Sequence, residues 1–178
     1  MLYLSGHGFA DSGRYHFVPQ EVRYSNQEAL RTGSLSEDDL VPLLARIKAQ
    51  KSLVILDTCY AGAFAAPQQV AFARGLEEKA AIDRLMRATG RAVLAASTEH
   101  QLAMEGYKGH GLYTYALIEG LRGNADQNAG DRNGAVSILE LSQYLDTRVP
   151  NLSWEAFQRN QIPMYHLSGQ AFDVTLVE

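Results

Sequence analysis

One cysteine and one histidine offer most of the chemistry in this chain. Cys59 is the single cysteine among 178 residues, so it has no internal disulfide partner and cannot build a thiolate-rich metal site. It lies in Asp57-Thr58-Cys59-Tyr60-Ala61-Gly62, directly after the apolar run Leu53-Val54-Ile55-Leu56. His7 lies in Ser5-Gly6-His7-Gly8, directly after Met1-Leu2-Tyr3-Leu4. A thiol is a poor nucleophile until it loses its proton. A neighbouring imidazole accepts that proton and later returns one to a leaving amine. Gly6 and Gly8 permit a tight turn around His7, and the Gly8 and Cys59 N–H groups are the expected donors to a developing oxyanion. His110 sits in a second Gly-His-Gly, but no buried strand leads into it and a helix follows, so it reads as a loop or helix-entry residue. His16, His100 and His166 read as structural or exposed.

His7 and Cys59 are 52 positions apart, so the fold must bring two strand ends together. Periodicity predicts a strand over 1–5 ending at the Gly-His-Gly turn, a small hairpin arm at Tyr15–Val18, then a polar stretch to Gly33. Ser36-Glu37-Asp38-Asp39 caps an amphipathic helix over 36–49, with Pro42 late for its first turn. The run 52–57 reads as a central parallel strand, and the Ala-rich 63–75 as a loop before a helix over 76–88. A buried strand follows at 91–97 and a helix at 112–122. Ser137 and Glu140 form a capping box opening a helix to about 148, and Ala171–Val177 alternates as a last strand. Apolar strands alternating with helices predict an α/β sandwich with a largely parallel sheet, whose ligands bind at the carboxyl ends of the strands. His7 and Cys59 both follow such strands.

Composition narrows the partners. The chain is 46% hydrophobic and 20% charged with a net charge of -4, as expected of an ordinary globular domain and not of a disordered or collagenous chain. An acidic balance makes nucleic acid an unsuitable main partner. The first apolar run is too short for a signal-peptide core or a membrane span, so the expected location is cytoplasmic with no membrane partner.

The two motifs together resemble the caspase-like cysteine peptidases, in particular the metacaspase-like forms of bacteria. Ala95-Ala96-Ser97-Thr98, Gly109-His110-Gly111-Leu112-Tyr113-Thr114-Tyr115 and Gln161-Ile162-Pro163 are also similar to that family. The resemblance implies a caspase-like three-layer sandwich, a mostly parallel sheet with helices on both faces. It also implies a thiol protease with His7 as base and acid, Cys59 as nucleophile, and the Gly8 and Cys59 amides as oxyanion hole. In metacaspase-like enzymes an acid at the place of Asp57 lines the pocket for a basic P1 residue, where animal caspases use arginines to hold an aspartate. Asp57 is therefore the expected substrate-binding acid and Glu105, in the loop after Ser97-Thr98, a second. Protein or peptide substrates cut after Arg or Lys are implied, with regulatory domains or signalling partners. Strands preceding the His7 strand are implied as well, so 1–178 is expected to be the peptidase domain without its leading strands. Their absence would leave the His7 strand with an unpaired edge.

Three matters stay open at this stage. Asp131-Arg132-Asn133-Gly134 with Glu140 is similar to an EF-hand loop, but the first ligand position falls on Ala129. Asp126 and Asn128 replace it only if the loop bulges, so no metal site is assigned and calcium dependence is left undecided. A basic P1 preference makes Arg74-Gly75 a candidate self-cleavage point. The alternatives to an endopeptidase are a catalytically silent caspase-like recruitment module and a Cys-His amidase acting on a small amide.

Overall fold

The computed structural model describes residues 1–23, 25–60, 80–89, 91–96, 104 and 106–177. Its main sheet has six strands: β1 (Leu2–Asp11), β2 (Arg14–Val18), β3 (Leu35–Ser36), β4 (Leu53–Tyr60), β5 (Ala92–Ala95) and β7 (Met164–His166), in the order β3-β2-β1-β4-β5-β7. The centre, β1-β4-β5, is parallel, and β2, β3 and β7 are antiparallel flanks.

Strict alternation along β4 and β5 divides the core into two layers. Leu53, Ile55, Ala92 and Leu94 pack with Leu112, Tyr113, Ala116, Leu141 and Leu145 on one face of the sheet. Val54, Leu56, Val93 and Ala95 pack with Leu40, Leu44, Ile82, Leu85 and Met86 on the other. A central strand covered on both faces needs apolar side chains at every position, which is why 53–56 is uninterrupted. The first layer is supplied by α4 (Leu112–Glu119) and α6 (Ile138–Phe157), the second by α2 (Glu37–Ala45) and α3 (80–89). Both α2 and α6 start with a complete capping box, Ser36 with Asp39 and Ser137 with Glu140, each contributing about 1 kcal/mol.

Several elements differ from the sequence expectation. β1 does not stop at Gly6-His7-Gly8 but continues to Asp11 and turns through Ser12-Gly13 into β2. It pairs with β4 along Leu2–Gly8 and with β2 along His7–Asp11, so Leu2–Gly6 has no strand partner on the side away from β4 among the described residues. The polar stretch before Gly33 contains α1 (Gln27–Gly33), capped by the Asn26 side chain accepting from the Ala29 N–H. α2 ends at Ala45, four residues early. α4 continues through a π-helical turn at Gly120–Asn124 into α5 (Ala125–Ala129); Gly123 at φ 110° makes that kink possible. α6 runs past Pro150 to Phe157 because Leu145, Val149 and Leu152 keep its inner face buried. The last strand, β8 (Asp173–Leu176), pairs with β6 (Ala135–Ser137) in a separate two-stranded sheet. No helix among the described residues is long and apolar enough to cross a membrane.

Candidate active site

The ladder between β1 and β4 puts Ser5 opposite Asp57, Gly6 opposite Thr58, His7 opposite Cys59 and Gly8 opposite Tyr60. Adjacent strands lie about 4.8 Å apart, so the backbones of His7 and Cys59 are direct neighbours at the end of the parallel β1–β4 ladder, which β1 outruns to Asp11. His7 is exposed. The two glycines beside it have different causes. Gly6 has φ +152°, a value that side-chain-bearing residues rarely adopt, whereas a Cβ on Gly8 would lie 2.8 Å from the ring and the hydroxyl oxygen of Tyr15. Tyr15 is fully buried, and its hydroxyl donates to Thr58 Oγ1 at 3.0 Å. Gly8 thus lies inside the sheet, opposite Phe17 on β2 and Tyr60 on β4, and not in a turn.

Asp57 is 7% exposed. Its Oδ2 accepts from the Tyr3 hydroxyl at 3.2 Å and from the Thr114 hydroxyl, and the two hydroxyl oxygens are 2.6 Å apart. One acid therefore ties β1, β4 and α4 together below the His7–Cys59 pair. Burial, opposed by its hydrogen bonds to Thr114 and Ser5 and aided by the charge on Asp57, raises the Tyr3 phenol above its ordinary value. Tyr113, fully buried, is pushed well above 10 by burial first and then by Asp57 and Tyr3. Its hydroxyl makes no hydrogen bond among the described residues.

Gln161 joins the end of β5 to Met104. Its buried side chain donates to the Ala96 carbonyl at 2.8 Å and accepts from the Met104 N–H at 3.2 Å. Glu105, His100 and Arg74-Gly75 lie outside the described residues. His110 is exposed in the turn that leads into α4, as expected of a helix-entry residue. His16 is buried and stacked on Phe9, with ring centroids 4.7 Å apart. Sequence reasoning assigned nothing to Tyr3, and Thr114 was visible only as part of a motif without a role.

The EF-like loop is built differently. Asp126, Asp131 and Glu140 bring carboxylate oxygens within 4.8 Å of one another. Those oxygens already accept backbone N–H groups: Asp126 from Asn133 and Gly134, Asp131 from Asn133, and Glu140 from Asp131 and Ser137. Asn128 donates its side-chain amide to the Asn124 carbonyl.

The α/β sandwich thus sets a histidine-bearing strand beside a cysteine-bearing one, with His7 in register with Cys59. The chain belongs to the caspase-domain family of peptidases, whose model matches residues 1–174. No curated protein matches the chain. The family is one of cysteine peptidases, and protein substrates go with it.

Proposed function

We propose that this chain is a metacaspase-type cysteine endopeptidase that cleaves proteins after Arg or Lys. The register of His7 with Cys59, two residues beyond the buried Asp57, is the observation that carries this reading. His7 takes the Cys59 proton, and the thiolate attacks the scissile carbonyl carbon while the Gly8 and Cys59 amides receive the oxyanion. The C–N bond then breaks as protonated His7 gives its proton to the leaving amine. Water, deprotonated by His7, hydrolyses the thioester and restores the thiol. Asp57 receives the basic P1 side chain, with Glu105 as a second acid near the same pocket. Self-cleavage at Arg74-Gly75 follows from the same specificity.

A panel of fluorogenic peptides with Arg, Lys or Asp at P1 tests the reading, run with calcium and with a chelator. Turnover of Arg and Lys peptides that vanishes in Cys59→Ala is expected. Turnover of Asp peptides only, or activity retained in Cys59→Ala, overturns it. Inert Cys59 would favour a recruitment module, and a reactive Cys59 that ignores every peptide a small-amide hydrolase. Intact masses of wild type and Cys59→Ala read out self-cleavage, and identical masses exclude it.

A further inference from the structure

Counting protons around Asp57 gives the three-group cluster a direction. Each hydroxyl has one hydrogen. The Thr114 hydroxyl donates to Asp57 Oδ2, which leaves the Tyr3 hydrogen to the 2.6 Å contact with Thr114 and the 3.2 Å contact with Asp57 Oδ2. Tyr3 is a poorer partner to Asp57 directly, at 3.2 Å. The result is a chain in which the Thr114 O–H points to the carboxylate and the Tyr3 hydroxyl backs both of them. Such a chain strengthens its terminal bond, because an acceptor role makes the Thr114 hydroxyl a better donor. A buried carboxylate stays ionised only when donors replace its lost water. The chain is anchored on two elements, Tyr3 on β1 and Thr114 on α4, so it restricts the carboxylate's rotation.

We propose that Thr114, backed by Tyr3, is a specificity-positioning residue that holds Asp57 in one orientation for a basic P1 side chain. This rests on the reading of Asp57 as the P1 acid. Thr114 acts through its hydrogen bond to Asp57, so its removal raises KM for basic P1 peptides while leaving kcat nearly unchanged. The loss of one hydrogen bond to a charged group corresponds to about ten- to hundredfold. Tyr3 acts through Thr114, so its effect is smaller, about three- to tenfold.

The test compares Thr114→Val, Thr114→Ser and Tyr3→Phe with wild type on peptides carrying Arg or its neutral isostere citrulline at P1. Thr114→Val is expected to raise KM for Arg and to reduce the Arg-to-citrulline ratio of kcat/KM. Thr114→Ser, which keeps the hydroxyl, restores both. Unchanged KM and ratio in Thr114→Val overturn the proposal. Asp57→Asn separates the two claims: if it leaves Arg selectivity intact, the reading of Asp57 fails; if it abolishes selectivity while Thr114→Val does not, only the positioning role fails. Carbon NMR of the Asp57 carboxyl in Cys59→Ala needs no turnover. Protonation at higher pH in Thr114→Val than in its parent is expected, and an unmoved titration contradicts the proposal.

Discussion

Two of the regions that bury carboxylates, around Asp57 and around Asp126 and Glu140, satisfy them by different means. At the carboxyl end of β4, Asp57 is held by side-chain hydroxyls from two other elements. In the 126–140 loop, Asp126, Asp131 and Glu140 are held by backbone N–H groups of the same loop. Backbone donors are part of the local fold, so carboxylates that saturate them pin the chain. Hydroxyl donors rotate and can be exchanged for other donors, so the acid they hold remains able to receive a ligand. On the proposed reading of Asp57 the first arrangement serves a binding pocket, while the second is a structural staple.

The largest expected effect that separates the two regions is on selectivity. Asp57→Asn should lower kcat/KM for P1 Arg peptides by at least about a hundredfold, because the P1 cation loses its buried counter-charge. Steady-state kinetics on Arg and citrulline peptides checks this. Glu140→Gln should leave the same ratio unchanged.

Stability should respond in the opposite sense. A Cβ on Gly130 would lie 2.1 Å from Glu140 Oε1 and 2.9 Å from the Asp126 backbone. Gly130→Ala is expected to cost about 2–4 kcal/mol in urea unfolding, through overpacking and loss of the amides that Glu140 caps. An equal loss of P1 selectivity in this variant would break the comparison.

Acid titration should separate the regions again. Burial lowers the His16 pKa from 6.5, against the pull of Asp11 and Asp39. The unfolded chain then binds the proton more readily, so stability falls as pH drops below 6.5. Glu140 is lowered from 4.5, since the Ser137 and Asp131 hydrogen bonds outweigh its burial. Its contribution is present above 4.5 and is lost as pH falls through its depressed folded value. Denaturant midpoints against pH should therefore show two declines, the upper flattened by His16→Gln and the lower by Glu140→Gln.

The smallest effect expected is at Tyr113. Removing its buried hydroxyl, which has no partner among the described residues, in Tyr113→Phe should be neutral or stabilise by up to about 1 kcal/mol in thermal unfolding, with P1 selectivity unchanged. A large loss of Arg selectivity would make its phenol part of the pocket.

The two strand ends were legible in the sequence because a doubly covered strand has no polar position until it reaches the site, so 53–56 announces both its burial and its end. Gly8 was legible as a special position but for another cause, since only the fold shows Tyr15 against it. β3 and β7 are two and three residues long, too short to carry a period, and alternation in β8 identified a strand without naming its partner. Tyr3 and Thr114 were illegible as a pair. They are 111 residues apart, and their meeting depends on the rotation of α4 about its axis. The acidic loop was readable as a set of carboxylates, but not the direction of its amides.

The central claim is that Cys59, activated by His7, attacks a carbonyl whose P1 side chain is basic. Intact-mass measurement after treatment with a peptide electrophile bearing Arg at P1, beside the same electrophile bearing Asp, tests it most directly. One Arg-probe adduct on Cys59, formed far more slowly in His7→Ala and absent in Cys59→Ala, is predicted. Labelling indifferent to the P1 residue, or undiminished in His7→Ala, would contradict the account.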